Sequence, residues 1–130
     1  MGILRTYLVA SLIVAAAPGS ARATEGLYGD PVTFFAACAG RLSAQMEFQW
    51  LLSDPASDQT QAQRGAVLDI LDAITPAAAR PDVLNRRVSA KQAQAALLRQ
   101  ARFGSDPASA EAAGALALRH LESCTALLLG

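Results

Sequence analysis

The sequence predicts an all-α fold: an antiparallel up-down-up-down four-helix bundle after a cleaved signal peptide, with one disulfide joining helices 1 and 4. Three observations lead there. Of the 130 residues 29 are alanine, and glycine and proline fall mainly where helices should start or stop. Four segments repeat apolar residues at helical spacing, and no stretch alternates as a strand would. The chain also has just two cysteines, Cys38 in the first of those segments and Cys124 in the last.

Residues 1–23 read as the signal peptide. Arg5 gives a small positive start, residues 7–17 form an apolar run, and Pro18-Gly19 breaks it. Ala21-Arg22-Ala23 then offers the small residues that a signal peptidase requires, with cleavage after Ala23 or after Ala21. The apolar run is shorter than the roughly 20 residues a bilayer span needs. Met1-Gly2-Ile3-Leu4-Arg5-Thr6 also fits a myristoylation pattern, but that pattern is short and common. Export is the expectation, to the bacterial periplasm or outside the cell, with residues 24–130 as a single helical bundle domain. That segment holds 9 basic and 11 acidic side chains. Such near neutrality gives no reason to expect a nucleic-acid partner, and no stable membrane span is expected in the mature chain.

After a polar leader, helix 1 is expected over residues 31–52, with Asp30 as its cap and Pro31 in its first turn. On a helical wheel Phe34, Phe35, Cys38, Leu42, Met46 and Trp50 fill one arc, and Ala37, Ala44, Phe48 and Leu51 most of the rest. Only Ala36, Gly40, Ser43 and Glu47 remain as a narrow outward strip, so helix 1 should lie in the middle of the domain. Ala36, Gly40 and Ala44 also form a small-residue ridge that would let another helix of the chain come close. Helix 2 is expected over 58–74, with Gln63, Val67, Ile70, Leu71 and Ile74 inward and Gly65, Asp69 and Asp72 outward. A connector at 75–81 contains two prolines.

Helix 3 is expected over 82–103, with Leu84, Val88, Ala95 and Leu98 on one face, although Lys91 and Arg102 share it. Gly104 suits the left-handed residue that ends a helix. Helix 4 is expected over 107–129, its core face being Ala113, Gly114, Ala117, Leu121, Cys124 and Leu128. The pentapeptide Ser-Asp-Pro-Ala-Ser occurs at 53–57 and again at 105–109. Its flanks share almost nothing, so it reads as one stop-and-start signal used twice rather than a duplicated hairpin.

Two cysteines without a CxxC motif in an exported chain point to a disulfide. At about 1.5 Å per residue, Cys38 lies roughly 10 Å into helix 1 and Cys124 roughly 8 Å from the end of helix 4. Antiparallel neighbouring helices would bring them level. Closing so long a loop stabilises by about 4–5 kcal/mol in the chain-entropy model.

Short motifs for chemistry are missing. His120 is the sole histidine, a structural zinc site would need thiolates already committed to the disulfide, and the CxxCH haem signature is absent. A boundary histidine hydrogen-bonded within the fold is expected. Asp69, Asp72 and Glu47 read as solvated, and no serine-nucleophile or phosphate-loop pattern occurs. No catalytic residue, metal ligand or cofactor is assigned.

Two features stand above this background. Arg41, Gln45 and Gln49 form a polar row through the apolar surface of helix 1. The favoured reading is a register-setting network to helix 2 (Gln59, Gln63) or helix 4, and the other is contact with a second protein. Residues 80–102 carry six basic side chains and one acidic, whereas residues 24–79 carry two basic and seven acidic. Arg86, Arg87, Lys91, Arg99 and Arg102 could dock an acidic envelope protein or an anionic envelope polymer. Internal pairing with a solvated face is the plainer alternative, and it is preferred.

The expected function is a non-catalytic exported interaction protein, such as an inhibitor, a chaperone-like factor or an assembly factor. A small-ligand or cofactor carrier using the interior near Arg41, Gln45, Gln49, Trp50 and His120 is the alternative. The cysteine pairing gives the first test. Thiol reagents should label no group until the protein is reduced and unfolded, and labelling of two groups in the untreated native protein would sink the pairing.

Overall fold

Local sequence signals fix where each helix begins. The computed structural model describes residues 29–129, so the signal-peptide reading of residues 1–23 lies outside the described residues. Four helices dominate, α1 (Pro31–Leu51), α2 (Ser57–Ile74), α3 (Arg80–Phe103) and α4 (Pro107–Thr125), with single 3-10 turns at Ala77–Ala79 and Ala126–Leu128. No strand occurs among the described residues. Asp30 accepts from the backbone N–H of Thr33 at 2.9 Å and from its hydroxyl at 2.7 Å, so α1 starts where expected. Those bonds also hold the Asp30 carboxyl below its ordinary pKa range. α3 begins two residues earlier than the sequence suggested. A 3-10 turn leads straight into it, and Pro81 sits in the first turn, where no N–H partner is needed.

The repeated pentapeptide folds differently in its two settings. At its first occurrence Ser53 takes a left-handed φ of 55°, closing α1, and Asp54 accepts from the Ala56 N–H at 2.9 Å before α2 begins at Ser57. At the second, Gly104 ends α3 in extended conformation (φ −64°, ψ 139°) rather than the left-handed one expected. With the turn already made, Asp106 caps α4 by accepting from the Ser109 N–H at 2.9 Å.

α1 touches all three other helices, and its largest contact is with α3. That contact corrects the outward strip. Ala36, Gly40 and Ser43 are buried, and the small-residue ridge is the α1–α3 seam. A Cβ on Gly40 would overlap the Arg87 carbonyl oxygen and lie 2.9 Å from the Lys91 nitrogen. Residue numbers rise together along the seam: Ala36 lines a pocket with Val83, Gly40 meets Arg87 to Lys91, and Phe48 meets the ring of Phe103. Trp50 and Leu51, placed inside by the wheel, are 52% and 81% exposed because α1 runs on past its cover.

α3 needs a second correction. Leu84 and Val88 are exposed, and the only buried residue of the helix is Gln94. Fitting the backbone of α3 onto Gly40 turns Val83, Ala90 and Gln94 inward instead. The inner stripes of α2 and α4 match expectation at Val67 and Leu71 and at Ala113, Ala117 and Cys124, though Ile74 is exposed. Cys38 and Cys124 form the disulfide with Cα atoms 5.4 Å apart, both fully buried beside Ala39, Leu42, Val67 and Leu71. Of α1's contacts with the other helices, that with α4 is the smallest. The sulfur bridge joins helices that otherwise meet little, where the sequence suggested full-length neighbours.

Two glycines give a paired test of the seam. Gly40→Ala should destabilise by about 1–3 kcal/mol through overpacking. Gly65→Ala, inside α2 with open space around its Cβ, should stabilise by about 0.5–1 kcal/mol. Thermal unfolding checks both, and a Gly40→Ala melt equal to the parent would remove the close approach.

Candidate functional site

Gln94 is 1% exposed and anchors the polar part of the interior. Its Nε2 donates to the Ala117 carbonyl at 3.0 Å, which fixes the amide so that Oε1 faces His120. An amide oxygen can only accept, so His120 Nδ1 carries the proton and donates across 3.1 Å. Neutral His120 therefore keeps its lone pair on Nε2. Burial, then Arg41, then Arg119, hold its pKa below the ordinary histidine value. His120 is thus bonded within the fold.

Beside it lies a partly open pocket of about 260 Å³, lined by Arg41 of α1, by Arg86, Ser89, Ala90, Ala93 and Gln94 of α3, and by His120 of α4. No carboxylate lines it. Arg41 is partly buried, and its pKa is lowered first by that burial and then by Arg86. Of the ligand-carrier set, Arg41 and His120 meet here, whereas Gln45, Gln49 and Trp50 do not line the pocket.

The polar row does not form its network. Gln45 Oε1 and Gln49 Oε1 are buried without a hydrogen-bond partner, and neither Gln59 nor Gln63 reaches them. The α1–α2 polar link is made elsewhere, by Arg64 Nε donating to Ser43 Oγ at 2.7 Å while Ser43 Oγ donates to the Ala39 carbonyl. Ser43 is smaller than glutamine and sits where a short donor-acceptor fits between the helices.

The basic side chains of α3 have different fates. Lys91 Nζ bonds Glu47 Oε1 at 2.6 Å across the seam, so Glu47 is engaged rather than freely solvated. Arg80 lies 3.9 Å from Asp72 at the surface. Arg86, Arg87, Arg99 and Arg102 make no ion pair among the described residues. The Arg102 guanidinium stands 5.7 Å from the centroid of the Phe103 ring.

One feature escaped the sequence reading. Where α1 and α3 end together, Leu51 and Phe103 are 81% and 68% exposed, and Trp50 and Leu52 beside Leu51 are exposed as well. Leu51 and Phe103 line a largely apolar pocket of about 210 Å³ with Ala44, Phe48 and Ala95, and with Glu47 and Arg99 as its charged members. The signal was present: Trp50-Leu51-Leu52 puts three large apolar residues in succession, more than one helix face can bury.

Among the described residues no group of three or more His, Cys, Asp or Glu could hold a metal ion, and no helix is long and apolar enough to cross a membrane. No protein-family model, curated protein or solved structure matches the chain.

His120 supplies a pH test. Its folded pKa lies below the unfolded value of about 6.5, so the folded chain takes up this proton less readily than the unfolded one. Its contribution is present in full above that pH and is lost as pH falls through the folded value. The proton resonance of this sole histidine should titrate with a midpoint below about 6.5, moving up in Arg41→Gln. A parent midpoint at or above the ordinary value would overturn the assignment.

Proposed function

We propose that this chain is an exported, non-catalytic interaction protein that grips a partner protein at the common end of α1 and α3. The observation that carries the reading is the exposed pair Leu51 and Phe103, next to Arg99 and Arg102, which have no acid partner among the described residues. Large apolar side chains at a surface gain by being covered, and flanking arginines select what covers them. The partner that fits presents apolar side chains beside carboxylates. The charge segregation seen in the sequence favours the same choice, and makes an acidic envelope protein a better match than an apolar surface alone.

Export rests on the leader at residues 1–23 and agrees with a disulfide, which persists in oxidising compartments. The absence of a catalytic motif from the sequence supports a binding rather than a chemical role. An up-down-up-down course is part of the proposal. It is supported by numbers that rise together between α1 and α3 and in opposite senses between α3 and α4, where Gln94 meets Ala117 and Ala101 meets Gly114.

A photo-crosslinking residue at Leu51, in intact cells, should yield one discrete adduct in the envelope fraction, and the same residue at exposed Asp69 none. Leu51→Asp should weaken the isolated complex at least about tenfold, as for an interface anchor, and Arg99→Glu with Arg102→Glu should abolish its preference for low salt. Intact protein without a Leu51 adduct would overturn the proposal, and an adduct of twice the chain mass would replace the partner with a second copy.

A further inference from the structure

We propose that the pocket between α1, α3 and α4 binds a doubly charged oxyanion of the phosphate-monoester kind, held between Arg41 and Arg86 with His120 as a third ligand. The site is separate from the apolar end. Arg86 precedes Arg99 by 13 residues on one helix, about 20 Å along its axis.

Three observations carry the inference. First, Arg41 and Arg86, from different helices, line one space that no carboxylate lines, and Arg86 also borders the neighbouring pocket that Asp30 and Asp82 line. Glu47, an acid of the same helix as Arg41, is engaged by Lys91. Second, Arg41 is partly buried with five N–H donors and makes no hydrogen bond or ion pair among the described residues. Its donors are therefore open to an acceptor that enters the pocket. Third, a wholly buried amide, Gln94, holds His120 by Nδ1 and leaves Nε2 as the ring's remaining position.

The charge count selects the ligand class. One carboxylate occupies one guanidinium fork, whereas a tetrahedral dianion can accept from both and from the ring. The cavity, at about 260 Å³, is below the roughly 300–1,000 Å³ of drug-sized sites and has room for a phosphate group with a small organic substituent. The charged groups acting on His120 are Arg41 from α1 and Arg119 from its own helix, and Arg86 from α3 lines the same pocket; all three are cationic. A bound dianion reverses that field, so Nε2 takes up one proton from solvent and becomes a donor. By linkage, binding tightens as pH falls.

The test titrates inorganic phosphate into the intact mature protein at constant ionic strength set with chloride, following the His120 resonance and the melting temperature. Saturable changes in both are expected, with the His120 midpoint moving up. Sulfate, whose charge is constant over this range, should bind more tightly at pH 6 than at pH 8. Arg41→Gln and Arg86→Gln should each weaken phosphate binding about tenfold or more. Arg86 is exposed, so its variant keeps the fold, and Arg80→Gln, at an exposed arginine outside the pocket, should leave phosphate binding unchanged. Phosphate that moves neither signal beyond chloride, or Arg86→Gln that binds like the parent, would overturn the site.

Discussion

The close approach of α1 and α3 at Gly40 sets the rest of the arrangement. With no room for a Cβ against the Arg87 carbonyl, the two backbones are nearly in contact there. Ala36, Gly40 and Ala44 line α1 along that side, and at Gly40 anything larger would push the helices apart. The bulky apolar residues are displaced elsewhere. Leu42, Val67 and Leu71 gather with the disulfide in the core, while Leu51 and Phe103 are left where the helices end. A domain whose tightest interface is made of small residues depends on shape as much as on apolar area.

Each principal interface then has its own cross-link. Arg64 to Ser43 joins α1 and α2, Lys91 to Glu47 joins α1 and α3, and Gln94 to Ala117 and His120 joins α3 and α4. The slight α1–α4 contact has the covalent bridge. The Lys91–Glu47 side chains remain 41% and 46% exposed, so that pair contributes little net stability. Directed bonds of this kind discriminate between registers, which smooth alanine surfaces do poorly. With the disulfide closing a loop across a sequence separation of 86, cross-linking stands in for the larger core that a chain of this length lacks.

Features set by local chemistry were legible in the sequence. Asp30 before Pro31, the Ser-Asp-Pro-Ala-Ser signals and the two cysteines each act through neighbours in the chain or through a pairing with no competitor. The α1–α3 seam was half legible. A wheel ranks residues by apolarity and so assigned Ala36, Gly40 and Ser43 to solvent, while the spacing of the same residues pointed to helix contact. Leu84 and Val88 were misplaced, and Gln94 went unplaced, because the rotation of α3 follows from the fit at Gly40, not from its own composition. Arg41 and His120 were grouped in the ligand-carrier reading, without Arg86. Their meeting with Arg86 depends on that same rotation, which no single helix encodes.

The basic stretch of α3 shows what the rotation does to function. In the sequence Arg86, Arg87, Lys91, Arg99 and Arg102 form one run of charge suited to one acidic surface. Packing breaks the run apart. Lys91 is taken by Glu47, the backbone of Arg87 lies against Gly40, Arg86 turns to the pocket with Arg41, and Arg99 and Arg102 stay beside the apolar end. Two groups remain without acid partners among the described residues, and they differ in kind. One lacks apolar neighbours larger than alanine and suits a compact anion. The other is flanked by Leu51 and Phe103, which suits a protein surface. Under both proposals the neighbours of α3, not its charge count, decide what each arginine can reach.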